Sequence, residues 1–203
     1  MLILTLDTCS SLCGAGVWQD GRWLSRAQER MERGQDARLM PLVFAAMQEA
    51  RRDFADLDRV AVLRGPGSFT GVRVCLAAAI GIGLAAGKPV IGVDRFSVYK
   101  SLYATQGRNL LVVIESKRAE LFCKFYPAQG TEQEACMMTS NEIDAFIAAN
   151  PDTAIVGDFA TPEADALFAC AELAAQADPK DPAFHPRPLY LRAPDVTVAR
   201  IPA

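Results

Sequence analysis

A short apolar run, Val60-Ala61-Val62-Leu63, leads straight into Arg64-Gly-Pro-Gly-Ser-Phe-Thr-Gly-Val-Arg73 and then into a long apolar segment ending at Gly87. Few folds accept that order. The run before Arg64 is short and β-branched, as a buried strand requires. In Gly65-Pro66-Gly67 the proline presets one turn angle and glycine supplies a positive φ, which the pattern assigns to Gly67. Ser68 and Thr70 carry hydroxyls suited to the orphan amides of a helix start. Beyond them Val72, Leu76, Ile80 and Leu84 form a large apolar stripe at helical spacing, expected to face a sheet. Ala77, Gly81 and Ala85 make a second line of small residues, along which another backbone can approach closely. Gly87 followed by Pro89 stops the helix. The predicted order is strand, tight glycine turn, then a helix smooth on one side.

Two roles fit such a turn. Its amides, with Arg64 and Arg73 on either side, could contact an anion at the helix N-terminus, where the dipole favours negative charge. No Gly-Lys-Ser/Thr follows at Walker A spacing, and Gly65-x-Gly67 lacks the later glycine of a dinucleotide fingerprint. The other role is structural: a well-capped turn that docks a helix onto a sheet or a partner. Asp7, Gly65, Gly67, Ser68, Thr70 and Arg73 are the residues that either role would use.

Composition narrows the function. Half of the 203 residues are hydrophobic, enough for one domain with a real core or for two small ones. The net charge of −3 and the absence of a basic block make a stand-alone nucleic-acid binder a poor fit. The apolar run over residues 74–87 falls short of a membrane span, and the start of the chain lacks the basic region of a signal peptide, so no membrane is expected. Six cysteines show no C-x-x-C spacing, which fits a cytoplasmic protein with reduced thiols. The single histidine, His185, lies in a proline-rich tail and cannot supply a His pair for a metal.

Residues 2–6, 13–18 and 23–28 read as three strands, with Asp20-Gly21 as a hairpin signal. Residues 34–50 form an amphipathic helix expected to be capped at Asp36, with Pro41 near its first turn. Its Leu39, Val43 and Met47, together with Ala77, Gly81 and Ala85, make up the expected partner-binding surface. Strand 60–63, the helix after it, strand 89–93 and a helix over 96–105 complete a first half, residues 1–106. That half is predicted to be a mixed sheet flanked by helices in the ribonuclease-H-like manner. Residues 107–203 read as a smaller α/β subdomain: strands over 110–114, 119–126 and 154–156, a helix over 141–149 capped by Ser140 or Asn141, an alanine-rich helix over 162–177, then an irregular tail.

Leu4-Thr-Leu-Asp7-Thr8, the Gly65-to-Arg73 segment, Gly81-x-Gly83-Leu-Ala, Pro89-Val-Ile-Gly-Val93 and the Pro188-Leu-Tyr-Leu-Arg192 tail together resemble the TsaB (YeaZ) family. Gly34-Gln35-Asp36 stands where the family often has a histidine, and Glu115-Ser116-Lys117-Arg118 replaces an Asp-Ala-Arg-like turn. The resemblance implies an actin-like (ASKHA) α/β fold of two subdomains with mixed sheets, the second truncated. In actin-like folds the first hairpin wraps a nucleotide phosphate, but the shortened second half offers no second phosphate loop. The family is a non-catalytic partner of TsaD, which carries the metal and transfers threonylcarbamoyl to adenosine beside the anticodon of tRNAs that read codons starting with A. It implies further that TsaE joins through the assembled complex, that tRNA is contacted indirectly, and that a nucleotide can sit at the joint with TsaD. Isolated chains could pair as homodimers through the same helices. The alternative is an active enzyme of the same fold, metallopeptidase-like or a small ATPase. The residues themselves offer no catalytic, cofactor-binding or metal-ligating set. Purified protein is therefore expected to bind no stoichiometric metal. Elemental analysis finding one tightly held transition metal per chain would overturn the scaffold reading.

Overall fold

The computed structural model describes residues 1–103, 107–158 and 163–191, the side chains of 163–165 apart. The ends expected at residues 105 and 162, and Arg192 of the tail motif, lie outside them.

β1 (Leu2–Asp7) is buried along its whole length, as a central strand must be. It pairs antiparallel with β2 (Leu12–Gln19), and β2 pairs antiparallel with β3 (Arg22–Arg30). Asp20 and Gly21 join β2 to β3 with φ of 48° and 83°, the two positive angles of a tight hairpin turn. On its other side β1 runs parallel to β4 (Arg59–Leu63), and β4 parallel to β5 (Val90–Val93). The sheet order β3-β2-β1-β4-β5 is the expected ribonuclease-H-like arrangement.

α1 (Gln35–Ala50) and α2 (Phe69–Ala86) pack against each other and against this sheet. Gly34 caps α1 in the left-handed region, with φ of 88°, so Asp36 falls inside the first turn rather than at the cap. Its charge still suits the positive end of the helix dipole. Pro41 lies in the second turn of α1. On α2 the residues turned to the core are Gly71, Val72, Cys75, Leu76, Ala79, Ile82 and Gly83. The expected stripe is therefore half right: Ile80 is 44% and Leu84 83% exposed. The reason is helix geometry, because residues four apart drift by about 40° per step and a row of four ends on another face. By length and a mean hydropathy of 1.8, α2 could cross a membrane; here its inner face is covered by the sheet.

The second sheet has the order β8-β7-β6-β9, built from β6 (Asn109–Ile114), β7 (Glu120–Tyr126), β8 (Cys136–Thr139) and β9 (Thr153–Gly157). β8 has no counterpart in the sequence reading, since Cys-Met-Met-Thr shows no polar alternation. Two helices cover opposite faces of this sheet. α3 (Arg95–Leu102) lays Phe96 and Tyr99 against Leu110, Val112, Ile114 and Tyr126. α4 (Ser140–Ala149) lays Ile143, Phe146 and Ile147 against Leu111, Val113, Cys123 and Phe125. Thr139, not Ser140 or Asn141, caps α4, in a reciprocal box with Glu142.

α5 (Glu163–Gln176) crosses back. Its Ala166, Ala169, Cys170, Ala171 and Ala174, with Ala177 just beyond, join the core of the first sheet, and Phe168 meets Trp18 and Trp23 edge-on. Alanines let the helix axis come close to the strands. Arg59 fixes its C-terminal end by donating to the carbonyls of Ala174 and Ala177 at 2.7 and 2.6 Å. The two sheets draw their strands from residues 2–93 and 109–157, but the first sheet is covered on its far side by a helix from the second half. A fragment of residues 1–106 should consequently fail to give a cooperative melting transition or dispersed amide resonances, whereas the full chain gives both. A fragment that folds on its own would show that α5 is dispensable to the first sheet.

Candidate partner-docking site

The glycine turn is held from below by the turn between β1 and β2. Gly67 faces Cys9 so closely that a Cβ would lie 2.2 Å from the Cys9 carbonyl oxygen, and one on Gly71 would lie 1.9 Å from that of Thr8. The Ser68 amide donates to the Cys9 carbonyl at 2.8 Å, and the Thr8 hydroxyl donates to the Gly71 carbonyl at 2.6 Å. Asp7, buried, accepts from the Cys9 amide at 2.7 Å and so shapes the same turn. Ser68 caps α2 by accepting from the Gly71 amide at 3.2 Å, while Thr70 is an exposed residue of the first turn. One expectation is corrected here. Gly65 takes the positive φ, at 98°, and Gly67 does not; Gly67 is required for space, not for backbone angle.

The tail covers the turn from above. The Leu189 amide donates to the Arg64 carbonyl at 2.8 Å, and a Cβ on Gly92 would stand 2.7 Å from the His185 carbonyl. Arg73 stacks on Phe69 at 3.9 Å and donates to the Tyr190 hydroxyl at 3.2 Å. The residues expected to contact an anion are thus brought together, and Cys9, Leu189 and Tyr190 bond to the same segment.

Arg95, at the start of α3, was not singled out by sequence, because nothing in Asp94-Arg95-Phe96 distinguishes it from a surface helix start. It is buried and joins the two halves of the molecule. It donates to the Pro66 carbonyl at 3.1 Å and the Tyr99 hydroxyl at 3.0 Å, and pairs with Asp158 at the end of β9. Tyr99 also donates to Asp158, and the Glu115 amide donates to its other oxygen at 3.0 Å. Burial works against the Arg95 charge, yet Asp158, then Tyr99 and Asp7, more than offset it and hold its pKa above the ordinary value.

Burial, then the nearby Asp7 carboxylate, pushes the Cys9 thiol well above its ordinary range and Cys13 up to about 11. Among the described residues no group of three or more His, Cys, Asp or Glu is placed to hold a metal ion.

What α1 and α2 present outward is different in kind. Ala77, Gly81 and Ala85 are exposed, as the small-residue line requires, and a Cβ on Gly81 would meet nothing within 4 Å. Ile80 and Leu84 stand beside them in solvent. Leu39, Val43 and Met47 do not share this surface. All three are buried in the chain's own core, since they line the side of α1 that rests on the sheet. The outward row of α1 is Pro41, Phe44, Ala45 and Gln48, with Phe44 57% exposed and its ring edge-on to Phe54. An amphipathic pattern gives the apolar face, and that face is the core.

A family model described as TsaD, tRNA N6-adenosine threonylcarbamoyltransferase, matches residues 29–156. The chain belongs to the TsaB (YeaZ) family. A protein of Escherichia coli (strain K12) described as tRNA threonylcarbamoyladenosine biosynthesis protein TsaB is 30% identical over 128 residues, 62% of this chain and 55% of its own length. The chain thus matches about half the length of that curated relative. An uncharacterized protein of Mycobacterium tuberculosis (strain H37Rv) is 33% identical over 208 residues, covering 95% of this chain and 92% of its own. The structure of YeaZ from Pseudomonas aeruginosa superposes with a TM-score of 0.70 at 22% identity, covering 94% of this chain and 99% of that one. The fold is therefore the actin-like one shared by TsaB-family proteins and the wider TsaD group.

Three substitutions test the geometry of this family member. Gly67→Ala should lower stability by about 1–3 kcal/mol through collision with the Cys9 carbonyl, read as a shifted urea midpoint, while Gly81→Ala should not destabilise. Arg95→Met leaves Asp158 without its cation and should cost about 2–4 kcal/mol. A midpoint unchanged from wild type in either destabilising variant would contradict the contacts described.

Proposed function

We propose that this chain is a non-catalytic partner that docks a TsaD-type transferase in the formation of threonylcarbamoyladenosine in tRNA. The observation that carries the reading is the outward face of α2, where Ile80 and Leu84 stand exposed next to the open line of Ala77, Gly81 and Ala85. A helix from a partner can approach such a line closely, and the flanking large side chains supply apolar area to bury. The name of the E. coli relative, and the TsaD-like family model, support the pathway assignment. In this reading TsaE joins through the assembled complex, tRNA is contacted through TsaD, and a nucleotide can be held at the joint between the two actin-like chains rather than by this chain alone. Without its partner, the same face can pair with a second copy. The compartment is the cytoplasm, where tRNA modification takes place.

Gly81→Leu tests the surface. The open space around Gly81 admits leucine within the chain, and leucine is favoured over glycine in a helix by about 1 kcal/mol. The isolated variant should therefore melt at or above wild type. At the joint the added side chain overpacks, at about 1–3 kcal/mol, a loss of roughly tenfold to hundredfold in affinity for the TsaD-type transferase of the same organism. Leu84→Asp should weaken binding similarly without unfolding the chain. Isothermal titration of both variants at wild-type affinity would mean that α2 is not the docking face. Transfer activity of this chain alone on tRNA would overturn the non-catalytic role.

A further inference from the structure

The second sheet carries a pair of cysteines whose relation the linear sequence hides. Cys123 on β7 and Cys136 on β8 are direct partners in an antiparallel register. Directly opposed residues share a face of the sheet with Cα atoms about 4.5–5.5 Å apart, and a disulfide spans about 4.4–6.8 Å. Both cysteines are free thiols, Cys136 exposed at the first position of the edge strand and Cys123 buried beneath α4 among Val113, Phe125 and Ile143. We propose that Cys123 and Cys136 form a thiol–disulfide exchange site, at which a low-molecular-weight disulfide such as glutathione disulfide closes a cross-strand bond between β7 and β8.

The exchange takes two displacements. The Cys136 thiolate attacks one sulfur of the reagent, the reagent S–S bond breaks, and one small thiol leaves. The Cys123 thiolate then attacks the Cys136 sulfur of the mixed disulfide and expels the second small thiol. Two protein thiols are oxidised with loss of two protons, and one reagent disulfide is reduced to two thiols. Exposure sets the order of attack. Burial, reinforced by the neighbouring Cys136, pushes Cys123 up to about 12, so Cys123 resolves rather than initiates. The remaining cysteines, Cys9, Cys13, Cys75 and Cys170, are buried in the core of the first sheet and do not compete. The bond would staple a four-residue edge strand whose last residue, Thr139, caps α4.

The full chain should be equilibrated with a glutathione–glutathione disulfide buffer, quenched with acid, and titrated for thiols after denaturation. The titre should fall from six to four. Intact mass should drop by the two hydrogens lost, and proteolysis should give a peptide joining Cys123 to Cys136. Cys136→Ser changes only an exposed residue and should leave the remaining five thiols free. Six thiols persisting in wild type, a glutathione adduct that stays on Cys136, or two copies bridged through Cys136 on a non-reducing gel would each overturn the proposal.

Discussion

The fold depends on one close approach between two stretches of backbone. The start of α2 rests on the turn between β1 and β2, with Gly67 over the Cys9 carbonyl and Gly71 over that of Thr8. Any side chain there would push α2 away from the sheet and loosen Val72, Cys75, Leu76 and Ala79, which fill the space above the parallel strands. The hydrogen bonds between Ser68 and Cys9 and between Thr8 and Gly71 can form only because the two backbones touch. The tail adds a contact from the other side, where the Leu189 amide donates to the Arg64 carbonyl.

A second constraint links the two sheets. α3 packs against α5 on one side and against β6 on the other, so it lies between the core of the first sheet and that of the second. Arg95 anchors its first turn to both: to the Pro66 carbonyl in the glycine turn and to Asp158 at the end of β9. A buried guanidinium is costly to desolvate, and it is tolerated because three different acceptors share it in a fixed fork. α2, the glycine turn and the second sheet are thereby parts of one connected structure.

The exposed apolar surface follows from how α1 and α2 divide their sides. Each spends its most apolar face on the sheet. On α1 this leaves Phe44 outward, edge-on to Phe54. On α2, apolar nearly all round, burial of one face still leaves Ile80 and Leu84 in solvent. A helix that is hydrophobic on every side, lying at the edge of a small protein, has an unmet need for cover. The proposed pairing with an actin-like partner meets that need with a helix-to-helix contact.

The sequence by itself determined the strands of the first sheet, the Asp20-Gly21 hairpin, the stop at Gly87 and the family resemblance. Each rests on local signals: β-branched runs, residues that tolerate positive φ, and a characteristic spacing of small residues within one turn and helix. It also placed Ala77, Gly81 and Ala85 on an open flank, because small residues four apart stay close enough on a helix to form a line. It did not determine which side of α2 meets the sheet, since a helix apolar all round carries no polar face to orient it. Nor did it show that Leu39, Val43 and Met47 belong to the core rather than to a partner surface, because both uses call for the same residues. The need for glycine at residue 67 was legible, but its cause was not: a Cβ collides there with Cys9, 58 positions earlier in the chain. The return of α5 to the first sheet, the burial of Arg95 and the facing of Cys123 and Cys136 were decided by tertiary structure alone. Each is a contact between distant segments, and distance along the chain leaves no pattern in the residues themselves.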